Sequence, residues 1–287
     1  MINGIITPTV TPVNKGEIDE KRIAALMEFL KKIGVSAAFP MGSTGLFPLF
    51  NKENHIRAIE LVIKHALPGT KVLAGAGRND IDETLEVAKS AADAGADAIV
   101  IVTPFYIKMS QDSVLNYYST IAGKVNSKII AYNIPQFTGN SVSAETLARL
   151  IKEHSNIIGV KDSSGDLRST QKYIAMLPSG SYIYQGQDDL LLPSMALGVS
   201  GGVCGTTNFT DLAVKLWNST GKDSRLLQLK LSGIMRAVSM SDFPKAYYYL
   251  FEKQVMNNRK PSGYLPPPIE DLNAQEESAV NGMVELQ

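Results

Sequence analysis

A lysine, a tyrosine and a hydroxyl-bearing turn are the residues of this chain best suited to chemistry. Ile157-Ile158-Gly159-Val160-Lys161-Asp162 reads as a strand, and two-residue alternation puts Ile157, Gly159 and Lys161 on one face. If that face is the interior of a closed sheet, Lys161 stands isolated at the mouth of an apolar tube. A lysine deprived of solvent there is a nucleophile toward a carbonyl carbon, and Gly159 would leave room beneath it. A solvated lysine at a strand end is the plainer alternative. The preceding strand ends in Tyr132-Asn133-Ile134-Pro135. Its phenol either transfers a proton to a reacting atom or belongs to a core ring with a wet hydroxyl. Gly42-Ser43-Thr44-Gly45 offers two hydroxyls and consecutive backbone N–H groups on a glycine-bracketed turn. That suits a small anion such as a carboxylate, although an ordinary capped turn has the same composition. Neighbouring strands lie ~4.8 Å apart, so Tyr132 and Lys161 can reach one ligand, with Ser43 and Thr44 across the mouth. A phenol, an amine and an anion cradle are the parts an imine-forming aldolase needs.

Eight apolar segments can carry such a mouth: Gly4–Val10, Ala37–Met41, Lys71–Gly75, Ala98–Val102, Lys128–Tyr132, Ile157–Lys161, Tyr182–Gln185 and Gly201–Cys204. They are mostly continuous rather than alternating, the pattern of strands covered on both faces. Segments of helical period follow each one: Asp19–Ile33, Lys52–Ala66, Asp80–Ala94, Gln111–Lys124, Ala144–Glu153, Leu167–Met176, Leu190–Leu197 and Asp211–Thr220. Asp19 and Asn51 stand where N-caps belong. Eight strand–helix units predict a closed (β/α)8 TIM barrel over residues 1–221 with its active site at the C-terminal strand ends. Arg225–Ser239, Pro244–Met256 and Asn273–Glu285 then predict a C-terminal helical extension, residues 222–287, packed on the barrel. A stiff connector, Pro261–Pro268, precedes the last helix.

The composition removes several classes of function. Lys+Arg and Asp+Glu are both 28, giving a net charge of zero, so no electrostatic pull toward nucleic acid or an anionic membrane is expected. No apolar run approaches the roughly 20 residues that span a bilayer. The first residues show no basic region or cleavage site, and the single cysteine, Cys204, suits a reducing compartment; a cytoplasmic protein is expected. Cys204 reads as a small core hydrophobe. His55, His65 and His154 fall on helical stretches without metal-like spacing and read as surface residues, so no metal is expected.

The motifs together resemble the dihydrodipicolinate synthase / N-acetylneuraminate lyase family over nearly the whole chain. Those that carry the resemblance are Gly42-Ser43-Thr44-Gly45, Thr103-Pro104-Phe105-Tyr106, Tyr132-Asn133-Ile134-Pro135 with Thr138-Gly139, Gly159-Val160-Lys161-Asp162, Gly186-Gln187-Asp188 and Gly201-Gly202-Val203. The resemblance implies a Schiff-base Lys161, a proton-shuttling Tyr132, and carboxylate binding by Ser43 and Thr44. It implies a homotetramer in which Tyr106 enters a neighbouring subunit's site, and no cofactor beyond the covalent lysine. Gly186 and Asp188 should face substrate hydroxyls, with Ser163 and Gly205 lining the same space; Asp188 can instead cap the helix that follows it. Two positions depart from the synthases. Leu46 stands where they carry a glutamate, and Phe137 where they carry an arginine for the aldehyde's carboxylate. Leu46-Phe47-Pro48 is similar to archaeal-type 2-keto-3-deoxygluconate aldolases. The acceptor pocket then suits an uncharged polyhydroxy aldehyde such as glyceraldehyde, with Lys108 the one basic residue near its distal end. Another pyruvate-dependent member of the family, or a non-catalytic keto-acid-binding protein on the same scaffold, is the alternative.

Overall fold

In the computed structural model, which describes residues 2–285, the eight apolar segments close on themselves. The strands in chain order are β1 (Gly4–Pro8), then a hairpin of β2 (Val13–Asn14) and β3 (Glu17–Ile18), then β4 (Ala37–Phe39), β5 (Lys71–Gly75) and β6 (Ala98–Val102). They continue with β7 (Ile129–Asn133), β8 (Ile157–Asp162), β9 (Tyr182–Gln185) and β10 (Gly201–Val203). The parallel barrel runs β1-β10-β9-β8-β7-β6-β5-β4 and back to β1. Every residue of β1, β6 and β7 is buried, which is why those strands read as unbroken apolar runs.

The outer layer is α1 (Glu20–Ile33), α2 (Lys52–His65), α3 (Ile81–Asp93), α4 (Gln111–Ala122), a one-turn α5 (Pro135–Thr138), α6 (Ala144–Glu153), α7 (Leu167–Met176), α8 (Leu191–Leu197) and α9 (Leu212–Trp217). Polar caps start most of the longer ones. The side chains of Asp19, Asn51, Asp80, Ser110 and Ser143 each accept the backbone N–H three residues on. Then come α10 (Gly221–Val238), α11 (Lys245–Gln254) and α12 (Ala274–Glu285). These helices are tied into the barrel. Thr11 N donates to Tyr248 Oη at 2.9 Å, and Arg22 forks onto Glu252 at 2.7 and 3.2 Å. No helix among the described residues is long and apolar enough to cross a membrane.

One element is new here and two expectations are corrected. The β2–β3 hairpin was not foreseen; Lys15 (φ 51°) and Gly16 (φ 83°) take the two left-handed positions of its turn. His55 is not a surface residue. It is fully buried, and its Nε2 lies 2.8 Å from Gly75 O, joining α2 to the end of β5. Gly159 does not make room beneath Lys161. A Cβ there would stand 1.9 Å from Tyr182 O, so the missing side chain serves the close approach of β8 to β9.

Candidate active site

Tyr132 and Lys161 are paired residues in the β7–β8 ladder, so the barrel register alone brings phenol and amine together. Lys161 is 5 % exposed. Its Nζ sits 4.0 Å from the Tyr132 ring centroid and 4.7 Å from that of Phe39, the last residue of β4. The two rings meet edge to face at 6.2 Å. Among the described residues Lys161 takes part in no ion pair. With no ion pair to hold it, Nζ is placed to meet a carbonyl carbon.

Across the mouth, Ser43 Oγ and Tyr132 Oη are 3.3 Å apart. The turn that carries Ser43 and Thr44 is bracketed by two left-handed non-glycine residues, Met41 (φ 57°) and Leu46 (φ 55°), a conformation that persists only where the surroundings enforce it. Gly42 and Gly45 permit the packing. A Cβ at 42 would lie 2.8 Å from the Phe39 ring, and one at 45 would lie 3.0 Å from Thr9 O. Among the described residues the amides of Ser43 and Thr44 donate to no protein group. Hydroxyl and amide donors are thus left for an anion.

The floor is fixed by residues that do not face the ligand. Asp162 accepts from Asn133 Nδ2 at 2.9 Å, Ser164 N at 3.1 Å and Thr170 Oγ1 at 3.2 Å, and Asn133 Oδ1 accepts Val142 N. These bonds hold the two strand ends that present Tyr132 and Lys161. Ser163 enters the site because Gly186 has no side chain; a Cβ there would stand 2.0 Å from Ser163 Oγ.

The cavity measures about 210 Å3, and its lining includes Ser43, Thr44, Tyr132, Lys161, Ser163, Gly186, Asp188 and Gly205. That lies below the ~300–1,000 Å3 of drug-sized sites and suits a substrate of few heavy atoms. Among the described residues Lys161 is the one basic residue in its wall. Asp188 lines the cavity, yet its carboxylate is largely occupied. It accepts Gly205 N and Thr206 N at 3.0 Å and Thr206 Oγ1 at 2.6 Å. Asp188 does not cap α8; it ties the loop before α8 to the loop after β10, and Oδ1, with one donor, keeps an acceptor position. Burial pushes its carboxyl up to about 6 against the pull of those three donors. Lys108 and Tyr106 are both exposed and line no part of this cavity in their own chain. Lys108 thus does not stand at the distal end of the pocket as expected.

The profile of the dihydrodipicolinate synthetase family matches residues 1–277. The chain belongs to that family. As a member of the dihydrodipicolinate synthetase family it is a pyruvate-dependent lyase. It is 38 % identical over 265 residues to the 2-dehydro-3-deoxy-D-gluconate/2-dehydro-3-deoxy-phosphogluconate aldolase of Picrophilus torridus, covering 90 % of this chain and 97 % of that one. It is 32 % identical over 246 residues to the 4-hydroxy-tetrahydrodipicolinate synthase of Bacillus subtilis, covering 84 % and 85 %. The solved 2-keto-3-deoxygluconate aldolase of Picrophilus torridus superposes with a TM-score of 0.88 at 37 % identity, over 95 % of this chain and 99 % of that one.

Phe39, which flanks Lys161 without lining the cavity, and several lining residues escaped the sequence reading. Phe39 lies at a strand end and could have been found by the same inspection as Tyr132. Gln136 follows the Tyr132–Pro135 motif, and Gln187 lies inside Gly186-Gln187-Asp188, although no role was read for either. Met235, Val238, Ser239, Ser241, Phe243 and Tyr247 all come from the C-terminal extension, and nothing local in their segment signals a pocket.

Proposed function

We propose that this family member is a class I aldolase that cleaves 2-keto-3-deoxygluconate reversibly to pyruvate and glyceraldehyde. The observation that carries the reading is Lys161 itself: buried, without a counter-ion among the described residues, and stacked under the ring of a tyrosine whose hydroxyl meets Ser43. The keto acid's carboxylate binds the Ser43–Thr44 donors, which brings its C2 carbonyl to Lys161 Nζ. The amine adds to C2, Tyr132 gives its proton to the departing C2 hydroxyl so that water leaves, and an iminium forms beside the phenolate. Tyr132 takes the proton of the C4 hydroxyl as the C3–C4 electrons move into the iminium, and glyceraldehyde departs. The enamine is protonated at C3 and hydrolysed to pyruvate, returning the free lysine. No cofactor is needed, since the lysine supplies the electron sink.

The choice of acceptor rests on Leu46 and Phe137. A dihydrodipicolinate synthase takes an aldehyde that carries a carboxylate, and burying that charge without a cation beside it is costly. Here Lys161 is already committed to the imine, and Phe137 occupies the place of the synthases' arginine. Tyr106 extends from the barrel to serve a neighbouring subunit of a homotetramer.

Borohydride with pyruvate should add one reduced pyruvyl group to the peptide that contains Lys161 and abolish turnover. Lys161→Ala should fold, take no label and be inactive. Label on another lysine, or activity in the variant, would refute the assignment. Pyruvate with a panel of aldehydes, glyceraldehyde and aspartate semialdehyde among them, then separates the aldolase from the synthase.

A further inference from the structure

Two side-chain amides at the mouth of the cavity converge on one backbone carbonyl. Gln136 Nε2 donates to Ser163 O at 2.6 Å, and Gln187 Nε2 donates to the same oxygen at 3.0 Å. A carbonyl can only accept, so both amide orientations are fixed by this contact. Each amide keeps its Oε1 as an acceptor and one N–H as a donor. Among the described residues neither Oε1 has a protein donor. Ser163 is two residues from Lys161, so the anchor holds both amides at a set place relative to the nucleophile.

Another part of the wall comes from the linker between α10 and α11. Ser241 lines the cavity, and its Oγ is buried without a hydrogen-bond partner. An unpaired buried hydroxyl gains nothing where it lies, and a ligand that reaches it supplies the missing partner. Phe243, two residues on, contacts Phe137 with ring centroids 5.5 Å apart. Both rings are partly exposed, so this aromatic pair marks the mouth. Among the lining residues only Lys161 and Asp188 carry charge, and neither belongs to this rim.

We propose that Gln136, Gln187 and Ser241 form a subsite that reads the terminal hydroxyl of the aldehyde half of the substrate. The assignment rests on the aldolase reading above and deepens it. Neutral amides and a serine both donate and accept, which matches a hydroxyl. A phosphate or carboxylate would sit there beside Phe137 and Phe243 without a cation. The C-terminal extension is thereby a specificity element as well as packing.

The test compares two aldehydes that differ only in that hydroxyl, D-glyceraldehyde and D-lactaldehyde, in aldol addition to pyruvate. The wild type should favour glyceraldehyde at least about tenfold in kcat/KM, because a site built around a hydroxyl rejects the analogue that lacks it. Ser241→Ala and Gln187→Leu should each shrink that ratio by about 3–10-fold, the worth of one hydrogen bond. A wild-type ratio near one overturns the subsite, and this measurement needs no variant to fold. Equal losses with both aldehydes also overturn it, since a merely structural role acts on both. Borohydride trapping of pyruvate on the wild type tells the two failures apart. No trapping removes the aldolase reading and the subsite with it, whereas trapping with no hydroxyl preference removes the subsite alone.

Discussion

Tyr132 has two separable parts, a ring and a hydroxyl. The ring lies 4.0 Å from Lys161 Nζ and packs edge to face on Phe39, while the hydroxyl reaches Ser43. Tyr132→Phe keeps the packing and removes only the proton carrier. Borohydride should still trap pyruvate on Lys161 in that variant, while cleavage of the keto sugar acid slows by roughly 10²–10⁴-fold; unchanged turnover would assign the proton to another group. Lys161, Tyr132, Ser43 and Thr44 were legible in the sequence because each closes a strand or opens a turn, and barrels of this type place their chemistry there. Gln136, Gln187 and Ser241 were not, because only the closed barrel with its last helices brings them together; Phe39, at the end of β4, obeys the same strand-end rule as Tyr132. Asp188 shows a further limit. Its position near the site was readable, but its partners, Gly205 and Thr206, come from the following strand–loop unit.

At the scale of elements, strand and helix placement followed from apolar runs and caps, and errors fell where tertiary contact overrides local pattern. His55 is the clearest case. On a helix of otherwise amphipathic spacing it looked solvated, yet it packs inward and bonds the end of β5. Gly75 O can only accept, so Nε2 carries the proton, and Arg78 lies 3.4 Å from Nδ1. Burial first, with Arg78 adding to it, lowers the imidazole from 6.5 to about 4, against the pull of Gly75 O and Glu83. The folded state therefore binds a proton less readily than the unfolded one. The neutral ring's contribution is complete above pH 6.5 and is lost as pH falls toward 4. His55→Gln keeps a donor for Gly75 O and cannot titrate. Between pH 7 and pH 5 its unfolding free energy in urea should fall by about 1–2 kcal/mol less than that of the wild type. Parallel losses in the two proteins would show that His55 does not set this acid limb.

At the scale of the whole molecule, the barrel leaves one tyrosine in an unusual place. Tyr106 is 91 % exposed at φ 77°, with Ile107 beside it 67 % exposed. A left-handed backbone and a solvated aromatic–aliphatic pair are costly unless another surface uses them. Sedimentation at micromolar concentration should give a tetramer, and Tyr106→Phe should slow turnover about tenfold or more without changing that mass. A fully active monomer would contradict the arrangement.

Closure of the barrel also sets a timetable for its birth on the ribosome. β1 is made first, and its flank partner β10 pairs it only through residues near position 201; Thr7 and Val10 wait likewise for Thr207 and Asn208. At ~5–20 residues per second of synthesis, β1 spends roughly 10–40 s with an open, apolar edge of the kind that invites foreign pairing. Translation pauses between residues 11 and 201 would lengthen that exposure, and pauses in the extension would not.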